Sequence, residues 1–139
     1  MDEALLAAYS ATDYRVRLAT GGWASIRIDQ PLPAALAACV ADQPWGFITA
    51  WNPRSQPQPR HVNRAAQRAL LRQLRTLPQT VVLRAGVGVG QHGAWREPSL
   101  FVVGLDITAL DRLAHIFAQH AYVHSRGPSA AQLRWTAGL

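Results

Sequence analysis

Tyr14-Arg15-Val16-Arg17-Leu18 alternates strictly between apolar and charged side chains, and Ala24-Ser25-Ile26-Arg27-Ile28 alternates in the same way after Gly21-Gly22. Two period-two runs on either side of a glycine pair predict a β-hairpin with one polar face. Trp45–Trp51 is mostly apolar without alternation, which suits a strand buried on both faces, and Asn52-Pro53 ends it. Thr80–Val87 is rich in β-branched residues and predicts a strand, apolar Leu100–Leu105 predicts another, and Ala121-Tyr122-Val123 predicts a short one. Elsewhere the apolar positions recur at helical spacing. Glu3–Ala11 reads as a short opening helix, and Pro31 and Pro33 open a second that runs to about Ala41. A third runs from about Val62 to Leu77, with Val62, Ala66, Ala69, Leu70, Leu74 and Leu77 along one side, and Pro78 stops it. The fourth starts at a Thr108 cap and continues to about Gln119, turning Leu110, Leu113, Ala114 and Phe117 inward. Arg54–His61, with Pro57 and Pro59, reads as a loop, as does glycine-rich Gly86–Ser99. The tail Ala130–Thr136 fits a strand or a frayed turn. The order α-β-β-α-β-α-β-β-α-β predicts one α+β domain over residues 1–139, a mixed sheet covered by helices.

Composition sharpens this picture. The 139 residues, 49% apolar and 16% charged, suffice for a packed core without disulfides or metal. Cys39 is the only cysteine and lies in an Ala/Leu-rich helix, so it reads as a small packed residue in a reducing compartment. The acidic start Met1-Asp2-Glu3 argues against a signal peptide, and no apolar run reaches the roughly 18–20 residues of a membrane span. The expectation is a soluble cytoplasmic protein with no membrane contact; its oligomeric state is open.

Charge is where the chain departs most from the ordinary. Fifty-four consecutive residues between Asp42 and Glu97 contain no carboxylate and eight arginines. Four of these, Arg64, Arg68, Arg72 and Arg75, fall within an arc of roughly 80° on the third helix, opposite its apolar side. Like charges four apart destabilise a helix by roughly 0.2–0.5 kcal/mol per pair, and no acid is interleaved to offset them. An anion or nucleic-acid surface would account for such a stripe. All fourteen basic residues are arginine, however, and Ala, Gly and Pro are plentiful, which a GC-rich coding sequence also produces.

Gly88-Val89-Gly90-Gln91-His92-Gly93 matches the dinucleotide fingerprint by letter, and Asp106 stands eighteen residues beyond Gly88. The fingerprint needs a helix to begin inside it and a crossover of roughly ten residues or more. Only Ala94–Ser99, with Pro98 in it, separates these glycines from the next strand, so a loop between neighbouring strands is expected and no NAD site. His120 and His124 would share a strand face, but no nearby Cys or carboxylate completes a metal set, and His61, His92 and His115 stand apart. Ser99 has no nameable His and Asp partners. No metal and no cofactor is expected. Glu97 is the lone acid in Trp95-Arg96-Glu97-Pro98-Ser99; with Arg96 beside it, its pKa is expected to be lowered, which suits anchoring an arginine or recognising a donor. Trp51 and Trp95 flank the basic segment, placed for core packing or for stacking on a base or a guanidinium.

Three phrases appear in a fixed order: Phe47-Ile48-Thr49-Ala50-Trp51-Asn52-Pro53 followed by Ser55 and Asn63, then Trp95-x-Glu97-Pro98-Ser99, then Phe117-x-Gln119-x-Ala121. From Tyr14 to Ala121 the chain resembles a small bacterial family known only as domain of unknown function 3293. The resemblance brings no activity, cofactor or partner. It implies that Asn52, Asn63, Glu97, Ser99 and Gln119 are the family's polar motif positions; His120 is outside that motif. Such residues at element ends either cap them or converge on one rim of the sheet, where ligands bind. With Trp95 nearby, amides and one carboxylate suit a planar, hydrogen-bonding ligand. Three functions follow as expectations: a binding module for a small anionic or nucleotide-like ligand, a nucleic-acid-associated protein using the Arg64/Arg68/Arg72/Arg75 face, and an enzyme of unstated reaction.

Overall fold

A computed structural model describes residues 3–136. The hairpin forms as β1 (Asp13–Arg17) and β2 (Trp23–Ile26), with Tyr14 opposite Ile26 and Val16 opposite Ala24 on the buried side. Gly21 and Gly22 both have positive φ, 93° and 76°, which explains the glycine pair at the turn. Around the hairpin the remaining elements are α1 (Glu3–Ser10), α2 (Ala34–Val40), β3 (Pro44–Ile48), α3 (Arg60–Thr76), β4 (Val82–Val89), β5 (Arg96–Val103), α4 (Ile107–Ile116), β6 (Ala121–Arg126) and β7 (Gln132–Trp135). The α+β domain and its element order are those read from the sequence, and the undecided tail adds β7 as a strand against β6. No helix among the described residues is long and apolar enough to cross a membrane.

All seven strands join one sheet in the order β2-β1-β4-β5-β3-β6-β7. Where a mixed sheet is expected, all six ladders are antiparallel. Among the described residues the one parallel contact is an isolated bridge, Ile28 to Ala131, just beyond the two edge strands. Asp29 N–H donates to the Ala131 carbonyl at 2.8 Å, and Ala131 N–H to the Gln30 carbonyl at 2.9 Å. The sheet is therefore curled until its two edges meet.

Curling gives the sheet an inside and an outside, and strand alternation sorts the core between them. In β5, Phe101 and Val103 point inward with Val16, Ile26, Trp45, Phe47 and Val123, and α2 adds Leu36 and Val40. Leu100 and Val102 point outward and are covered by Leu70 and Leu74 of α3 and by Leu110, Leu113 and Ala114 of α4. Trp45 is fully buried, and its indole N–H donates to the Gly127 carbonyl at 3.1 Å.

Several boundaries differ from expectation. The α4 cap is Asp106, not Thr108: Asp106 is the extended residue immediately before the helix, and its carboxylate accepts the Ala109 N–H at 3.0 Å. α3 begins at Arg60, directly after Pro59, and its inward residue in the first turn is Asn63, whereas Val62 is exposed. β3 leaves the sheet at Thr49, whose hydroxyl donates to the Pro98 carbonyl at 2.7 Å. The glycine loop contracts to Gly90–Trp95, because β4 runs on to Val89 and β5 starts at Arg96, paired with it. One 3-10 turn, Gln91–Gly93, lies between them, so no α-helix starts at the dinucleotide-like glycines.

Candidate functional site

Register builds the site at the end of the curl where β5 begins. Gly88 is paired with Tyr14 on one side and with Glu97 on the other, so tyrosine, glycine and carboxyl form one row across three strands. In the next row Gly86 is paired with Ser99. Alternation puts Glu97 and Ser99 on the inner face with Phe101, and Arg96 and Pro98 on the other side. Gly90 leaves room for Trp95, because a Cβ there would run into the indole ring, whereas one on Gly88 would meet that ring at ordinary contact distance, 3.4 Å.

The result is a cavity of about 330 Å³. Tyr14, Phe47, Glu97, Val123 and Leu133 line it from the sheet, Trp95 from the β4–β5 turn, and Asn52 and Ser55 from the segment after β3. α1 lies across it through Leu5, Ala8 and Tyr9. That helix is tied down by the Tyr14 hydroxyl, which donates to the Tyr9 carbonyl at 2.6 Å, and by Thr12, which donates to the Ala8 carbonyl at 2.7 Å. Tyr9 also meets Trp135 edge-on, with ring centroids 6.2 Å apart.

Glu97 is half-buried, and among the described residues its carboxylate has neither a hydrogen-bond nor an ion-pair partner. Burial pushes its pKa up from 4.5 to about 7. The lowered pKa expected from Arg96, and the anchoring of an arginine of the basic segment, are therefore overturned: neighbours in a strand point to opposite faces. Burial also raises the phenols of Tyr14 and Tyr9; for Tyr9 the Ser55 hydroxyl opposes the shift and the Glu97 charge adds to it. Both tyrosines are neutral hydroxyls near neutral pH.

Asn52 sits in a left-handed conformation (φ 45°, ψ 67°), which costs energy in any residue but glycine. Asn63, 2% exposed, holds it there. The Asn52 N–H donates to Asn63 Oδ1 at 2.9 Å, and Asn63 Nδ2 returns a bond to Asn52 Oδ1 at 2.7 Å. Gln58 Nε2 adds a third bond to Asn63 Oδ1 at 2.6 Å. Asn63 thus stands behind the cavity wall and fixes Asn52, which lines it. Opposite, Gln119 donates through Nε2 to the Trp51 and Phe117 carbonyls at 3.2 Å each. Its Oε1 accepts no bond among the described residues. Ser99 is buried and donates to the Glu97 carbonyl at 3.0 Å.

Of the six residues singled out for a ligand, Asn52, Trp95, Glu97, Ser99 and Gln119 line the one cavity, and Asn63 supports its wall from behind. Arg64, Arg68, Arg72 and Arg75 do not reach it; they stand exposed on α3, and Arg96, the one arginine at the cavity lining, borders it at the start of β5, where alternation turns its side chain to the other face. Sequence reasoning missed Tyr9, Tyr14 and Ser55 as cavity residues. Tyr9 gives no signal in the chain, since only tertiary packing lays α1 over the sheet. Ser55 did have one, its place in the first motif phrase. Its Oγ is 3.3 Å from Nδ1 of His120, whose ring stacks on Trp135 at 5.7 Å. No group of three potential metal ligands occurs among the described residues.

Comparison with curated proteins and with solved structures found no match. A family model described as "Protein of unknown function (DUF3293)" matches residues 48–122, more than half of the chain. That span holds Asn52, Asn63, Glu97, Ser99 and Gln119 together, and with it the chain belongs to the DUF3293 family.

Proposed function

We propose that this protein is a binding module for a small planar ligand with N–H donors, a nucleobase-like heterocycle, held by the Glu97 carboxyl. The observation that carries the reading is an acceptor of up to full negative charge, without a partner among the described residues, on the wall of a largely apolar cavity. Such a group recovers the interaction it lost on burial when a donor arrives. Tyr14, Phe47 and Trp95 offer ring faces or edges for a flat ligand, and Asn52 and Gln119 offer amides at its perimeter. A volume of about 330 Å³ suits one small metabolite rather than a dinucleotide. With only Arg96 in the lining, an anionic substituent would lie at the rim rather than inside.

The test is a calorimetric titration of free bases, nucleosides and nucleotides, with indole as a flat probe lacking an adjacent donor pair. Purines with adjacent N–H donors should bind best. Glu97→Gln should weaken them about 10- to 100-fold, the worth of a hydrogen bond to a charged group. A panel that does not bind, or binds equally to the variant, would dismiss the reading. A bound compound that is chemically altered in the tube would assign Glu97 a second role, as an acid–base group with a pKa near the working pH.

A further inference from the structure

We infer that the furrow between α3 and the convex face of β4 and β5 binds single-stranded nucleic acid. Arg60, Arg64, Arg68 and Arg72 recur every fourth residue along α3, and with Arg75 they extend over about 22 Å of helix. All five are exposed. Beneath them runs a furrow in two stretches of about 490 and 460 Å³, which meet at Leu71 and Leu100, residues that line both. Arg96 faces the helical arginines across the first stretch, and Arg84 faces Arg75 across the second. Both walls are therefore cationic.

Among the described residues nothing in the furrow neutralises that charge. No carboxylate lines either stretch, and Glu97, the nearest acid in sequence, points to the opposite face of β5. Among the described residues the ion pairs are Arg15–Asp13 and Arg134–Asp111, both elsewhere. Arginines that repel along a helix and have no internal partner make an anion-complementary rail.

The floor decides which polyanion fits. Leu71, Val87, Pro98 and Leu100 are apolar, and half-buried Trp51 stands at the end near Arg60. Unpaired bases can lie on such a floor and stack on the indole while their phosphates meet the rail. A duplex hides its bases and presents a convex phosphate surface, and an acidic peptide has no rings to stack. The inference is independent of the cavity ligand, which approaches the other face of the sheet.

Fluorescence anisotropy of a labelled short oligothymidylate, titrated with the full chain at a series of salt concentrations, tests it. The affinity should fall steeply with salt. Arg64→Ala with Arg68→Ala should reduce the log–log slope by about 1.4, at about 0.7 for each single-strand phosphate no longer neutralised, and should weaken low-salt binding at least about 10-fold. The charge-matched control, Arg27→Ala with Arg112→Ala, should keep the slope. Trp51→Phe should retain affinity and Trp51→Leu should weaken it about 10-fold, the worth of one base stacked on an aromatic ring. Four results would each overturn the proposal: no binding at low salt, a control whose slope falls as much as that of the rail variant, tighter binding of a duplex of equal length, and equal binding of polyglutamate.

Discussion

Glu97→Gln keeps the shape of the side chain and removes a charge that the fold must hold in a poorly hydrated wall. Because burial raises the folded pKa from 4.5 to about 7, the native state keeps the proton longer than the unfolded chain does. Stability attached to this group is fully present below about pH 4.5, declines as pH rises, and is lost once pH passes 7. At about 1.4 kcal/mol per pKa unit the whole effect is about 3 kcal/mol at most, less to the extent that water enters the cavity. A neutral amide carries no such penalty. The variant should therefore match the native protein near pH 4.5 and exceed it by up to about 3 kcal/mol at pH 8. For a domain of this size that is a rise in Tm of roughly 10 °C. Urea denaturation followed by tryptophan fluorescence, run on both proteins over that pH range, reads the difference directly, since every other titrating group cancels. A variant less stable than the native protein at pH 8 would mean that the carboxylate does have a cationic partner. A gap that does not change with pH would mean that burial does not perturb it. Either outcome refutes the reasoning.

Three further outcomes follow from other contacts. Asn63→Ala removes the four bonds that the Asn63 side chain shares with Asn52 and Gln58 and should cost about 2–3 kcal/mol in urea denaturation. Gly90→Ala drives a methyl into the Trp95 indole, so it should shift tryptophan emission and cost about 1–3 kcal/mol of stability. Asp111 accepts two bonds from Arg134 and one from Tyr122, each 2.7 Å, and its carboxyl is held below the usual range by Arg134 first of all. The pair is partly exposed, so Asp111→Ala should cost only about 1 kcal/mol at pH 7. Its deficit should shrink as pH falls through the carboxylate range, because a lowered pKa contributes stability only above it.

What the chain made legible was whatever depends on neighbours two to four residues apart. Tyr14–Leu18 announced its strand because inward and outward positions differ in chemistry, and α3 announced itself by its arginine and leucine sides. The same rules failed where tertiary contact sets the requirement. Gly86, Gly88 and Gly90 read as a loop, yet they belong to β4 and its end; Phe47 lies against Gly86 and Trp95 against Gly90, and neither leaves room for a side chain there. Misreading that segment hid the start of β5, and without a strand there was no alternation to separate Arg96 from Glu97. The error over the Glu97 charge state came from that boundary rather than from the electrostatics. Asn52 and Gln119 were found through the motif phrases, but that they line one cavity depends on β3 and β6 being adjacent, which no local pattern encodes.

The meeting of Ile28 with Ala131 also sets an order of events during synthesis. The β2 edge is complete early in translation, but the residues that close over it emerge only about a hundred positions later. Throughout that interval the growing chain presents a strand edge able to pair with another copy of itself. The exposed backbone is short, however: β2 has four residues, and Pro31 and Pro33 follow it within the next few positions. Prolines donate no hydrogen bond and halt strand addition. Crowded polysomes should therefore accumulate aggregates when Pro31 and Pro33 are both replaced, even though the finished protein, with its edges joined, would tolerate the change.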